Sequence, residues 1–234
     1  MYIASNTHSM RQYSKRTIKQ LWYGLFGAVL IGVLAWGWYS QATGTSSSRT
    51  VEQIVAVQAD DHVVGPVSGR VVLIEYYDLQ CGACRGYNPI IRELEKTYAA
   101  ELRVVRRYYP LPMHPYARQS AAAAEAAGMQ GKYEEMVDLL FAKQEEWSAS
   151  NAIQDTLNGY AVSLGLNMDK FTWDSKSREV RARIARDQAD ANTLDLGGTP
   201  SFLLQGKTIA TPRSLDEFKK LIDAEIAKLP QANP

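Results

Sequence analysis

The chain contains 234 residues, of which 46% are hydrophobic and 22% are charged. This composition is typical of a globular protein and excludes a collagen-like, low-complexity or wholly disordered chain. The formal net charge is only +1, from 26 basic and 25 acidic residues, which argues against nucleic acid as a partner.

The N-terminal region has the pattern of a membrane anchor. Residues 1–20 form a basic tail without acidic residues, and residues 21–39 (LWYGLFGAVLIGVLAWGWY) are apolar with aromatic residues at both ends. A 19-residue helix spans about 28 Å, close to the hydrocarbon thickness of a bilayer. We therefore predict one transmembrane helix at 21–39 that contacts the lipid bilayer, with the basic tail in the cytoplasm and everything after it outside the cell membrane.

A cleaved signal peptide is the alternative interpretation of this region. Ser40-Gln41-Ala42 weakly resembles a small-x-small cleavage site, but the apolar run is longer than the usual ~7–15 residues of a signal core. Both interpretations export the domain that follows. Residues 40–50 (SQATGTSSSRT) are small and polar and predict a flexible linker.

The segment after the linker alternates strand and helix patterns. Strands are expected at Arg70–Tyr77 (RVVLIEYY) and Leu102–Tyr109 (LRVVRRYY), with an amphipathic helix at Arg85–Tyr98 between them. Pro89 inside that helix predicts a kink. Together these elements make a right-handed βαβ unit.

The next part of the chain predicts a helical block at about 113–195, which includes the Ala-rich stretch SAAAAEAAGMQ. Trp147 and Trp173 are expected to anchor it. After the block, Ser201–Gln205 and Thr208–Ala210 read as a β-hairpin, and Ser214 opens a last helix that ends near Leu229. The fold class is α/β: a thioredoxin-like fold over residues 51–230 with a helical insertion, preceded by one transmembrane helix.

The two cysteines, Cys81 and Cys84, form a Cys-x-x-Cys pair where a strand leads into a helix. Structural zinc needs four ligands, and no second cysteine pair exists; a static disulfide would close too short a loop to remove much chain entropy. A helix N-terminus stabilises a thiolate, so redox exchange is favoured. Cys81 is predicted to be the exposed nucleophile and Cys84 the buried resolving thiol, with no cofactor or bound metal required.

Three segments resemble the DsbA-like branch of the thioredoxin superfamily: VVLIEYYDLQCGACRGYNP, HPYARQSAAAAEAAGMQGKY and GGTPSFLLQG. The resemblance implies that Pro200 is cis and lies beside the reactive cysteine, and that Thr199 presents backbone groups to an extended substrate chain. The dipeptide Gly82-Ala83 departs from the Pro-His that strongly oxidising members often carry. The direction of electron flow is therefore not fixed by the resemblance.

Glu75 is a lone acid in an apolar strand, six residues before Cys81. Thioredoxin-like proteins carry a buried acid at this position, and a desolvated carboxyl there would accept and return the proton of Cys84. The alternative is a glutamate at the strand edge that faces solvent or pairs with Arg106 or Arg107.

The function expected from these features is a membrane-tethered thiol:disulfide oxidoreductase, monomeric, that oxidises exported proteins with free or mispaired cysteines. A membrane redox partner would recycle the couple. Two alternatives stay open: an extracytoplasmic reductase or isomerase, and a non-enzymatic copper-binding module that uses Cys81, Cys84 and His114.

Overall fold

The structure, a computed structural model, describes residues 20, 22–23, 25–36 and 49–230. It divides into two compact units, Met1–Ser48 and Arg49–Pro234. In the first unit residues 25–36 are helical. Parts of three predicted segments lie outside the described residues: residues 21, 24 and 37–39 of the membrane span, residues 1–19 of the basic tail and residues 40–48 of the linker. Among the residues described, no helix is both long enough and apolar enough to cross a membrane.

The second unit contains nine helices and five strands within its described residues. The strands are β1 (His62–Val64), β2 (Val71–Tyr77), β3 (Leu102–Tyr108), β4 (Ser201–Leu204) and β5 (Lys207–Ile209). The helices outside the central block are α1 (Val51–Val55), α2 (Gly82–Thr97) and α9 (Leu215–Ala227). The block between β3 and β4 contains α3 (Ala117–Gly128), α4 (Tyr133–Ala142), α5 (Gln144–Ser148), α6 (Ile153–Ser163), α7 (Met168–Asp174) and α8 (Arg178–Thr193).

The five strands form one sheet in the order β1-β3-β2-β4-β5. β2 and β3 are parallel, as the βαβ pattern predicts, and β4 runs antiparallel to β2. The helical insertion and the final hairpin and helix are also confirmed. The sequence did not predict β1, since three residues are too few to show a strand periodicity, and it did not predict the short helices α1, α5 and α7.

The central strand β2 presents alternate residues to opposite sides of the sheet. Leu73 packs in one apolar cluster with α2 and α9, whereas Ile74 and Tyr76 pack with residues of α8 on the other side. Glu75 shares the face of Leu73 and Tyr77 by this alternation. The strand therefore places its carboxyl group beneath α2, the helix that carries Cys84.

The helical block packs around the Ala-rich helix α3, in which eight of twelve residues are buried. The apolar cluster that it forms also includes Tyr77 of β2, Tyr108 of β3 and both cysteines. Trp147 belongs to this cluster and is fully buried, and its indole Nε1 donates to the Leu140 carbonyl at 2.7 Å. The prediction that Trp173 also anchors the block is wrong, because its exposed fraction is 78%. Trp173 instead lines a surface cavity of about 720 Å³ between α7 and the start of α8.

Candidate active site

The cysteine pair lies at the N-terminus of α2. Cys81 is the N-cap residue with an extended backbone, and Cys84 lies in the first turn of the helix. Both are free thiols. The transition from strand to helix that the sequence predicted around this pair is confirmed.

The two thiols differ in burial. Cys84 is fully buried, and 8% of the surface of Cys81 is exposed. Cys81 is the more accessible of the two thiols, as predicted. The prediction that Cys81 is exposed was wrong, because most of its surface is buried. The reason is the loop before β4: the Thr199 carbonyl oxygen lies 3.4 Å from Cys81 Sγ and accepts a hydrogen bond from the thiol when Cys81 is protonated. This loop covers part of the sulfur.

The peptide bond between Thr199 and Pro200 is cis, which confirms the expectation from the resemblance. The Thr199 hydroxyl is buried without a hydrogen-bond partner of normal geometry, yet it lies close enough to Cys81 to lower the pKa of that thiol. Residues that are far apart in sequence therefore meet at one sulfur atom.

The surroundings of the pair separate the acidities of the two thiols. The largest influence on the pKa of Cys81 is a hydrogen bond from the Cys84 thiol, and the Thr199 side chain and the backbone N–H groups of Cys84 and Ala83 lower this pKa further. Together they outweigh desolvation, so the pKa of Cys81 falls from its ordinary 9.0 to about 5. Burial raises the pKa of Cys84 well above its ordinary range. Near neutral pH the site therefore holds a thiolate at Cys81 and a protonated thiol at Cys84.

Glu75 is buried, with 2% of its surface exposed, so the solvent-facing alternative is wrong. The suggested pairing with an arginine is present: Arg106 Nε lies 3.7 Å from Glu75 Oε2, and both residues are buried. Burial raises the pKa of Glu75 to about 7 against the opposing charge of Arg106, while the negative charges of Glu95 and Glu134 raise it further. A carboxyl with such a pKa exchanges protons near neutral pH.

Several side chains that support the site were not predicted from the sequence. Gln144 Nε2 donates to the carbonyls of Leu79 and Cys81, at 2.7 and 3.0 Å. The Asp78 side chain is fully buried, and its backbone N–H lies 3.5 Å from Cys84 Sγ. The position of Asp78 three residues before Cys81 could have indicated its role, but nothing in the sequence marks Gln144.

His114 comes close to the site but does not join the cysteines. Its Nδ1 lies 2.7 Å from Asp78 Oδ2. Over the described part of the chain, no group of three or more His, Cys, Asp or Glu residues could hold a metal ion. The copper site suggested for Cys81, Cys84 and His114 is therefore not formed, because the histidine turns to a carboxylate.

A thioredoxin-like sheet that carries Cys-x-x-Cys at a helix N-terminus beside a cis-proline defines a dithiol redox site of the thioredoxin class. Comparison with known proteins agrees with this class. The chain belongs to the thioredoxin family, whose model matches residues 58–224.

Solved structures share this fold. A thioredoxin-like oxidoreductase from Silicibacter pomeroyi is 26% identical, with a TM-score of 0.64 over 74% of this chain and 95% of that one. The α-DsbA1 protein of Wolbachia pipientis (19% identical, TM-score 0.68, 76% and 97% covered) and oxidised BdbD from Bacillus subtilis (18% identical, TM-score 0.63, 71% and 93% covered) show the same fold.

The curated relatives that the chain matches are named as Na(+)/H(+) antiporters rather than as oxidoreductases. A Na(+)/H(+) antiporter NhaA 3 from Salinispora tropica is 35% identical over 184 residues, which cover 78% of this chain and 27% of the antiporter. An NhaA 1 from Salinispora arenicola is 39% identical over 163 residues, with 69% and 24% covered. This chain therefore spans about a quarter of the length of the antiporters that it matches.

Proposed function

We propose that the Cys81/Cys84 couple oxidises pairs of thiols in exported proteins. The observation that carries the proposal is the separation of acidities. Cys81 is a stabilised thiolate, and Cys84 is a buried thiol whose pKa is raised by burial and by the charge of Glu75, a carboxyl with a pKa of about 7. A stabilised thiolate is a good leaving group, and it favours the reduced form of the enzyme, which makes the disulfide an oxidant.

In the proposed reaction a substrate thiolate attacks Cys81 Sγ of the enzyme disulfide. The Cys81–Cys84 bond breaks, Cys84 leaves as a thiolate, and Glu75 supplies the proton that it takes up. A second substrate thiolate then attacks the substrate sulfur of the mixed disulfide and releases Cys81 as a thiolate. The substrate loses two electrons, which reduce the couple; a membrane redox partner is proposed to reoxidise it.

The substrate is proposed to bind as an extended chain next to Thr199 and Pro200. This segment lies directly before β4 and contacts Cys81 through the Thr199 carbonyl. Main-chain pairing at such a segment gives affinity without demanding a particular sequence. This would suit an enzyme that acts on many partly folded proteins.

The direction of electron transfer is tested by equilibrating the protein with mixtures of reduced and oxidised glutathione. We expect a potential above the roughly −270 mV of thioredoxin, and a reduced form that is more stable than the oxidised form. A potential as low as that of thioredoxin, with the oxidised form more stable, would contradict the oxidant proposal and favour a reductase.

We further propose that residues 21–39 tether the domain to the cell membrane, with the domain on the extracytoplasmic side. The support is the length of the apolar run and the basic tail before it. Most of this chain is also similar to part of proteins named as Na(+)/H(+) antiporters, which fits a location at a membrane. External protease should digest the domain in intact spheroplasts, whereas protection in sealed spheroplasts would contradict the orientation.

A further inference from the structure

Asp78 contacts both redox cysteines through its backbone. Its N–H points to Cys84 Sγ at 3.5 Å, and its carbonyl accepts a hydrogen bond from the Cys81 N–H at 3.0 Å. Its side chain is fully buried. The orientation of this one residue therefore decides whether a donor faces the sulfur of Cys84.

Three donors hold the Asp78 carboxylate. The backbone N–H groups of Gln80 and Leu111 donate to it at 2.7 and 2.9 Å, and His114 Nδ1 lies 2.7 Å from Oδ2. A carboxylate accepts only, so the imidazole nitrogen is the donor in this pair. His114 is the one side chain among the three donors, and the contact can be removed by substitution.

We propose that His114 is a positioning residue for thiol–disulfide exchange. It fixes the Asp78 carboxylate and thereby keeps the Asp78 N–H directed at Cys84 Sγ, where it stabilises the thiolate that forms during the reaction. The inference rests on the proposed exchange function of the cysteine pair and assigns to it a residue outside the Cys-x-x-Cys motif and the cis-proline loop.

The step affected is the one in which Cys84 becomes charged. When reduced protein meets oxidised glutathione, the Cys81 thiolate attacks one of the two glutathione sulfurs. The glutathione S–S bond breaks, one glutathione leaves as a thiolate, and the other stays bound to Cys81 as a mixed disulfide. Cys84 then gives its proton to Glu75 and attacks Cys81 Sγ as a thiolate. The bond to glutathione breaks, the Cys81–Cys84 bond forms, and the glutathione thiolate leaves and takes up a proton from water. Burial raises the pKa of Cys84, and the Asp78 N–H is the group that opposes this.

The size of the effect follows from the thiolate fraction. Loss of one hydrogen bond to a charged group lowers the population of the charged form by about tenfold, so the thiolate fraction of Cys84 should fall by that factor when the Asp78 N–H turns away. The more basic thiolate is also more nucleophilic, with a Brønsted coefficient of about 0.4–0.5. Resolution of the mixed disulfide should therefore slow by about threefold to fourfold. Attack by Cys81 on glutathione should not change.

The experiment follows the mixed disulfide by acid quench and mass spectrometry after oxidised glutathione is added to the reduced, whole chain. His114→Ala should lengthen its lifetime by the stated factor without slowing its formation. His114→Phe retains a ring without a donor and should do the same, so the test does not depend on the folding of one variant. His114→Asn places an amide N–H near the position of Nδ1 and should restore the wild-type lifetime.

Gln188→Ala is the matched control. Gln188 Nε2 donates to the Pro110 carbonyl at 2.8 Å, so its loss loosens the same loop without touching Asp78, and it should leave the lifetime unchanged. The inference is overturned if both donor-free variants resolve as fast as wild type, if Gln188→Ala slows as much as His114→Ala, or if His114→Asn fails to rescue. Absence of any exchange by the wild-type protein would instead contradict the proposed function itself.

Discussion

Replacing Cys81 with serine tests the central electrostatic feature of the site. The pKa of Cys81 is lowered from 9.0 to about 5, so the folded, reduced protein gains stability from the thiolate. For a group whose pKa is depressed on folding, this gain is complete above the unfolded value of 9.0 and is lost as the pH falls to about 5. Serine does not ionise, and the variant lacks this pH-dependent term.

The magnitude follows from the proton-linkage relation. One pKa unit corresponds to about 1.4 kcal/mol, so the thiolate contributes about 3 kcal/mol at pH 7 and much less at pH 5. Because the thiolate exists only in the reduced form, the same energy raises the reduction potential of the couple by about 60 mV relative to one with an ordinary thiol. Cys81 is only 8% exposed, so solvent screening reduces these values little.

Two measurements check this prediction. The ultraviolet absorbance of the thiolate should titrate with a midpoint at a pH of about 5 in the reduced wild type and should not do so in Cys81→Ser. The control Cys84→Ser should titrate like wild type, because the serine hydroxyl can still donate a hydrogen bond to the Cys81 sulfur. Urea unfolding should show that the stability difference between wild type and Cys81→Ser grows by about 2 kcal/mol from pH 5, where half of the thiol is already ionised, to pH 7. A midpoint near 9, or a stability difference independent of pH, would refute the reasoning.

Three further predictions concern other parts of the domain. Cys84→Ser should trap mixed disulfides with substrate proteins, visible on non-reducing gels, and their absence would contradict its role as the resolving thiol. Glu75→Gln should remove an inflection at a pH of about 7 from the pH profile of resolution. A carboxyl with a raised pKa stabilises the fold less as the pH rises from 4.5 through about 7, so the variant should gain about 2–3 kcal/mol relative to wild type between pH 5 and pH 8. An unchanged difference would be inconsistent with a desolvated acid. Asp61→Ala leaves the buried Arg107 without its carboxylate partner and should lower the free energy of unfolding in urea by about 3 kcal/mol. The control Glu135→Ala removes an exposed ion pair and should lower it by less than about 1 kcal/mol. Equal losses would contradict the burial argument.

Local patterns were sufficient to predict much of the site. The spacing of Cys81 and Cys84 and their position after an apolar strand predicted the cysteine couple, whereas the placement of Pro200 beside Cys81 was implied by the family resemblance. The apolar neighbours of Glu75 also predicted its burial. These features are encoded within a few residues, where helix termini, strand periodicity and proline geometry act directly on the chain.

Contacts between distant segments decided the rest. The partial cover of Cys81 comes from a loop 118 residues away, and the choice of Arg106 as the partner of Glu75 comes from the parallel register of β2 and β3. The contact of His114 with Asp78 depends on how the exit loop of β3 packs against the loop after β2. The sequence by itself determined which groups can react, and the tertiary structure decided their burial and neighbours, because desolvation and charge pairing depend on distances in space rather than along the chain.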